Sequence, residues 1–146
     1  MSYKNAVFTY KETKIKTAGQ GHLIVMLYDE AVKQLTKAIE LLELNKTDKK
    51  DPGRIEIISK AVMKTEEIIT ELMVSLNFEQ GGDVSKNLFS LYTWFNKELV
   101  EANISQDTGS MIVVRDMLAV LRDAWSTVAN QSTEPPSESV GLNIAG

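Results

Sequence analysis

The chain has 146 residues, 43% of them hydrophobic and 25% charged, a composition that suits a folded globular protein and argues against a disordered or membrane-spanning one. It has no cysteine and a single histidine, His22, with Gly19 three positions before it. That excludes thiol chemistry and the paired Glu-x-x-His motifs of carboxylate-bridged metal bundles. A net charge of -4, from 16 basic and 20 acidic side chains, lacks the basic excess of a nucleic-acid binder.

Eight glycines and three prolines punctuate the chain at 19–21, 52–53, 81–82, 109 and 135–146. Between them lie four uninterrupted segments, each too long for strands, which usually run about 3 to 10 residues. A chain of this length buries roughly 70% of its unfolded surface, enough for one core.

Residues 1–16 come first, with four lysines, one glutamate and the apolar side chains Tyr3, Val7, Phe8, Tyr10 and Ile15. They lack the apolar run of a secretory signal and read either as a frayed terminus or as a movable arm whose aromatics dock on the bundle. A helix is predicted over 22–44, where Ile24, Tyr28, Ala31, Leu35, Ala38 and Leu42 alternate in steps of four and three and so share one stripe. The second, over 54–78, carries Ile55, Ile58, Val62, Thr65, Ile69, Leu72 and Leu76, with Thr65 as a polar interruption. Asp51 is placed to cap it and Pro52 to fill its first turn, where a missing N–H costs nothing.

The third helix, over 83–103, follows a turn at Gly81 and Gly82 with Asp83 as its cap, and carries Val84, Leu88, Leu91, Phe95 and Ala102. The fourth, over 107–129, carries Met111, Val114, Leu118, Leu121, Trp125 and Val128. Residues 130–146, polar and proline-containing, read as a flexible tail. Short connections favour antiparallel neighbours, so the expected fold is an all-α, up-down four-helix bundle over residues 17–129.

Each helix carries more apolar residues than one seam requires. Val25, Val32 and Ile39 form a second row on the first helix, Ile57, Ala61 and Ile68 on the second, and Val113, Val120 and Ala124 on the fourth. These rows either widen the core or line a groove that takes another segment. Chemistry is absent by comparison. No phosphate-cradling glycine pattern and no H-E-x-x-H occurs, and although Glu66, Glu67 and Glu71 cluster on the second helix, the i,i+4 pair Glu67 and Glu71 reads as a solvated face. No catalytic residue, cofactor or metal is therefore expected. A helical signalling or phosphotransfer bundle displaying His22 is the alternative function, and self-association through the surplus rows as a weak homodimer is a structural one.

The stretches HLIVMLYDEA (22–31), ELMVSLNFEQGGDVSKNLFSLYTWF (71–95), LVEAN (99–103) and LRDAW (121–125) together resemble the FliS family of cytosolic flagellin chaperones. The likeness runs from about Tyr10 to Trp125. It departs at Gly19 and Gln20, where the family usually has Ser-Pro, and at Glu30, where the family usually has Gly. Tyr28, Asp29, Asn87 and Asn103 match family positions, each with an ordinary packing or bridging role as its plainer explanation.

The resemblance implies a four-helix bundle that holds the disordered C-terminal region of flagellin, prevents its premature polymerisation in the cytosol and docks on the flagellar export gate, without inserting stably into the membrane. It also implies an N-terminal arm that covers part of the client groove. On that basis Phe8 and Tyr10 are expected to compete with flagellin for a groove lined by Val25, Val32, Ile57, Ile68, Leu88 and Tyr92.

Overall fold

The computed structural model describes residues 20–48 and 51–132. Four helices follow in chain order: α1 (Gln20–Thr47), α2 (Pro52–Val74), α3 (Phe78–Ser105) and α4 (Thr108–Ser132). At 1.5 Å per residue they are about 35 to 42 Å long. The expected all-α four-helix bundle is the observed one. Phe8, Tyr10 and the rest of the arm lie outside the described residues, as does the tail beyond Ser132; residues 130–132, expected in the tail, belong to α4.

Around the bundle, α1 packs on α2 and α4, and α3 closes the ring more loosely against α2 and α4. Among the described residues α1 and α3 have no direct backbone packing, so they stand diagonally across the core. The core between them contains Leu35, Leu42, Val62, Ile69, Phe95, Leu99, Met111 and Leu118, all fully buried. Thr65, the polar interruption, is buried there too, its hydroxyl donating to the Ala61 carbonyl at 2.9 Å. That bond removes the cost of leaving a hydroxyl unpartnered in an apolar interior.

The start of α2 follows the expected chemistry. Asp51 Oδ1 accepts from the Gly53 amide at 2.9 Å and Pro52 occupies the first turn. The preceding connection is organised by buried Asn45, whose Oδ1 accepts from Arg54 Nη1 at 3.0 Å and from the Asp51 amide at 3.3 Å. Asp107 begins α4 by accepting from the Ser110 amide at 3.2 Å and hydroxyl at 3.0 Å, and these bonds hold its carboxyl below the usual range.

The junction of α2 and α3 differs from expectation. The second helix ends at Val74, and the cap of the third is Asn77, accepting from the Gln80 amide at 3.0 Å, in place of Asp83. The expected turn at Gly81 and Gly82 is a kink inside α3, with Gly82 at φ 52° and ψ -125°. Only glycine adopts that backbone without strain. Hydrophobic spacing does not report such a kink, because one turn of helix on its N-terminal side continues the same pattern.

Candidate functional site

The third helix reaches the core with only part of its predicted seam. Phe95 and Ala102 are buried together with Tyr92 and Leu99, whereas Val84 is 48% exposed and Leu88 and Leu91 are half-buried. The fourth helix has its own surplus row on the side facing α3. Val113 and Val120 are exposed, and Met117 and Leu121 are packed against the core but not enclosed. Because α3 sits loosely beside α4, these two partial seams leave a furrow of about 270 Å³ lined by Leu91, Met117, Val120 and Leu121, with Asp116 at its rim. Residues at 113, 117 and 121 recur every fourth position, so the apolar stripe runs along α4.

A second depression, also about 270 Å³, lies between α2 and α3 and has another character. Met63, Glu66, Glu67, Thr70 and Asn96 line it. Burial, followed by the neighbouring charge of Glu67, raises the Glu66 carboxyl above its ordinary range. Across this junction Asn96 Nδ2 donates to Thr70 Oγ1 at 3.3 Å and Asn103 Nδ2 to Ser59 Oγ at 3.2 Å. Polar side chains thus bridge the α2–α3 side around its depression, while the furrow on the α3–α4 side is apolar. An open apolar surface suits an amphipathic or extended apolar segment, which buries its own apolar face there.

The expected groove residues do not gather at one place. Ile57 is 45% exposed on α2, and Val25, Val32 and Leu88 are half-buried against the core. Ile68 and Tyr92 are enclosed, at 0% and 1% exposure, so neither presents surface to a partner in this conformation. Both occupy the inner face of their helices, where a widened seam simply enlarges the core. The furrow residues Leu91, Met117, Val120 and Leu121 were absent from the expected set, although the row Val113–Val120–Ala124 pointed to their side of α4.

The remaining sequence candidates have structural surroundings. Tyr28 is buried, its hydroxyl in contact with that of Tyr92. Exposed Asp29 lies 3.6 Å from Arg122 across the α1–α4 seam. Asn87 is exposed, and Asn103 bridges α2 and α3 instead of neighbouring turns. His22 sits half-buried in the first turns of α1. Of the pair read as a solvated face, Glu67 is exposed but Glu71 is buried, because it falls on the inner side of α2 next to Leu72. Among the described residues no helix is long and apolar enough to cross a membrane, and no group of three potential metal ligands occurs.

The model of the family described as "Flagellar protein FliS" matches residues 3–132. The chain is 28% identical over 142 residues to the flagellar secretion chaperone FliS of Bacillus subtilis, covering 97% of this chain and 99% of that one. It is 28% identical over 114 residues to the Escherichia coli protein of the same name, covering 78% and 79%. For the Salmonella typhimurium protein the identity is 29% over 123 residues, covering 84% and 85%.

Proposed function

The chain belongs to the FliS family of flagellar secretion chaperones, and from that premise we propose that it binds the C-terminal region of flagellin, keeps it from polymerising in the cytosol and delivers it to the flagellar type III export gate. The observation that carries this reading is the open apolar furrow between α3 and α4, around Leu91, Met117, Val120 and Leu121. A secretion client kept unfolded exposes apolar helix faces that otherwise self-associate, and such faces are matched by a long apolar stripe on a rigid bundle. The chaperone role needs no bond-making chemistry. It needs reversible burial, and roughly 25 cal/mol per Å² of apolar surface provides it.

The Glu66–Glu67 depression beside the Asn96 amide supplies a polar counterpart on the opposite flank of α3. The N-terminal arm with Phe8 and Tyr10 is proposed as the intramolecular competitor for client-binding surface. Co-expression with a flagellin C-terminal peptide, followed by size exclusion and hydrogen-exchange footprinting, tests the reading. Co-elution with amide protection along α3 and α4 is expected; no binding to any flagellin peptide of the source organism overturns it. Light scattering of concentrated protein without client separates this function from self-association.

A further inference from the structure

The apolar furrow has a candidate occupant within the chain itself. Beyond α4 the sequence TEPPSESVGLNIAG begins at Thr133, and in it Val140, Leu142 and Ile144 alternate with Gly141 and Asn143. Alternation of this kind puts three apolar side chains on one side of an extended segment, about 6.6 Å apart. On α4, Leu121, Met117 and Val113 follow one another at intervals of four residues, or about 6 Å. The two repeats match to within about 10% over three positions. We propose that residues 140–144 lie extended along the α3–α4 furrow, antiparallel to α4, with Val140 near Leu121, Leu142 near Met117 and Ile144 near Val113.

Chain length permits this placement. From Ser132 back to Leu121 is eleven helical positions, about 16 Å, whereas the eight steps from Ser132 to Val140 span up to about 26 Å. Pro135 and Pro136 are incompatible with a helix interior, and they precede the apolar alternation in the sequence. On its other flank α4 is closed against α1. A Cβ added at Gly21 would stand 3.2 Å from the Ala129 Cβ, and Arg122 meets Asp29 across the seam at 3.6 Å. The α3 flank is where α4 borders an open apolar surface. A short tether gives an effective concentration in the millimolar range, so even a weak contact is populated. The tail then shields the furrow and is displaced by whatever binds there more tightly.

The absence of cysteine makes the test direct. In the full-length chain, the pair Val120→Cys and Leu142→Cys is oxidised mildly at low protein concentration and compared with Val100→Cys and Leu142→Cys. Val100 is similarly accessible, at 45% exposure, but stands nine residues from Leu91 and hence on the opposite face of α3. Intramolecular disulfide formation at least about tenfold faster for the furrow pair is expected, and adding Val140→Asp and Ile144→Asp should abolish the advantage. Equal rates for the two pairs, an advantage that survives the aspartates, or disulfide-linked dimers as the main product would each overturn the proposal. The crosslink is read without client, so failure to bind flagellin leaves this inference untouched.

Discussion

The phenol of Tyr28 on α1 is hydrogen-bonded to the phenol of Tyr92 on α3, joining two helices that face each other diagonally across the bundle. Their ring centroids are 6.5 Å apart with planes inclined at 54°. The indole of Trp125 on α4, which can only donate, is near enough to the Tyr28 hydroxyl to favour its ionised form and so to oppose part of the rise that burial causes. Side chains of three helices thereby meet at one buried polar site. Tyr28→Phe should destabilise the bundle by about 1 to 3 kcal/mol, because it leaves Tyr92 without its partner. The double variant with Tyr92→Phe should cost less than the sum of the single variants, by about 0.5 to 3 kcal/mol in a denaturant-unfolding cycle. Additive losses would show that the two hydroxyls do not act as a pair.

Alkaline pH should weaken the same pair. Burial pushes the Tyr92 phenol from 10.0 up to about 12, outweighing the hydrogen bond from Tyr28 that lowers it, and burial together with the Tyr92 interaction pushes Tyr28 further still. Below pH 10 both phenols are protonated in folded and unfolded chains, and stability is independent of them. Above it, the unfolded chain releases protons that the native chain retains, so stability falls as pH rises, by up to about 1.4 kcal/mol per pH unit for each phenol. For Tyr92 the loss continues to about pH 12. Comparing unfolding free energies at about pH 8 and 11, the wild-type chain should lose roughly 2 to 3 kcal/mol more than the Tyr28→Phe, Tyr92→Phe variant.

Two positive-φ positions should respond in opposite directions. Gly82→Ala places a side chain at φ 52° and ψ -125°; nothing lies within 4 Å of the added Cβ, so the expected loss of about 1 to 3 kcal/mol is backbone strain alone. Gln106, which ends α3 at φ 58° and ψ 47°, is already a non-glycine residue in the left-handed region. Gln106→Gly should stabilise by about 0.5 to 1 kcal/mol, read as a higher melting temperature.

Client binding should distinguish the two faces of α3. Val120→Asp puts a charge into the apolar furrow from a position that is 68% exposed, and the fold should tolerate it. Affinity for a flagellin C-terminal peptide should fall by about tenfold or more in calorimetry, the usual effect of spoiling a central apolar contact. Val100→Asp, on the far face of α3, should change affinity by less than about threefold.

Removal of residues 1–14 should leave the helical melting transition in place and raise client affinity, since an intramolecular competitor lowers apparent affinity by the fraction of time it occupies the surface. Unchanged calorimetric binding would remove Phe8 and Tyr10 from the mechanism.

Much of this molecule is written in local chemistry. The steps of three and four through Ile24, Tyr28, Ala31 and Leu35 required a helix and named its buried stripe, and those residues are buried. Asp51 followed by Pro52 marked a helix start that the backbone reproduces. These signals are legible because period and capping involve residues within one or two turns of each other. Gly81 and Gly82 show the limit. Two adjacent glycines mark a break, but whether the break is a connection or a kink depends on Asn77 capping one turn earlier and Ser85 Oγ donating to the Asn77 carbonyl at 2.9 Å.

The sequence by itself determined that this chain is a four-helix bundle, gave most of its core and, through the resemblance of its blocks, its family. Tertiary structure decided which surplus apolar residues remain available. Ile68 and Val120 look alike as members of second rows, yet one is fully buried and the other 68% exposed. The difference arises because burial depends on how closely a neighbouring helix approaches. Helix α3 closes on α2 through Asn103–Ser59 and Asn96–Thr70 and stands off from α4, leaving the furrow at Leu91, Met117 and Val120. Spacing along one helix fixes the direction of a side chain; only packing between helices fixes what stands in front of it.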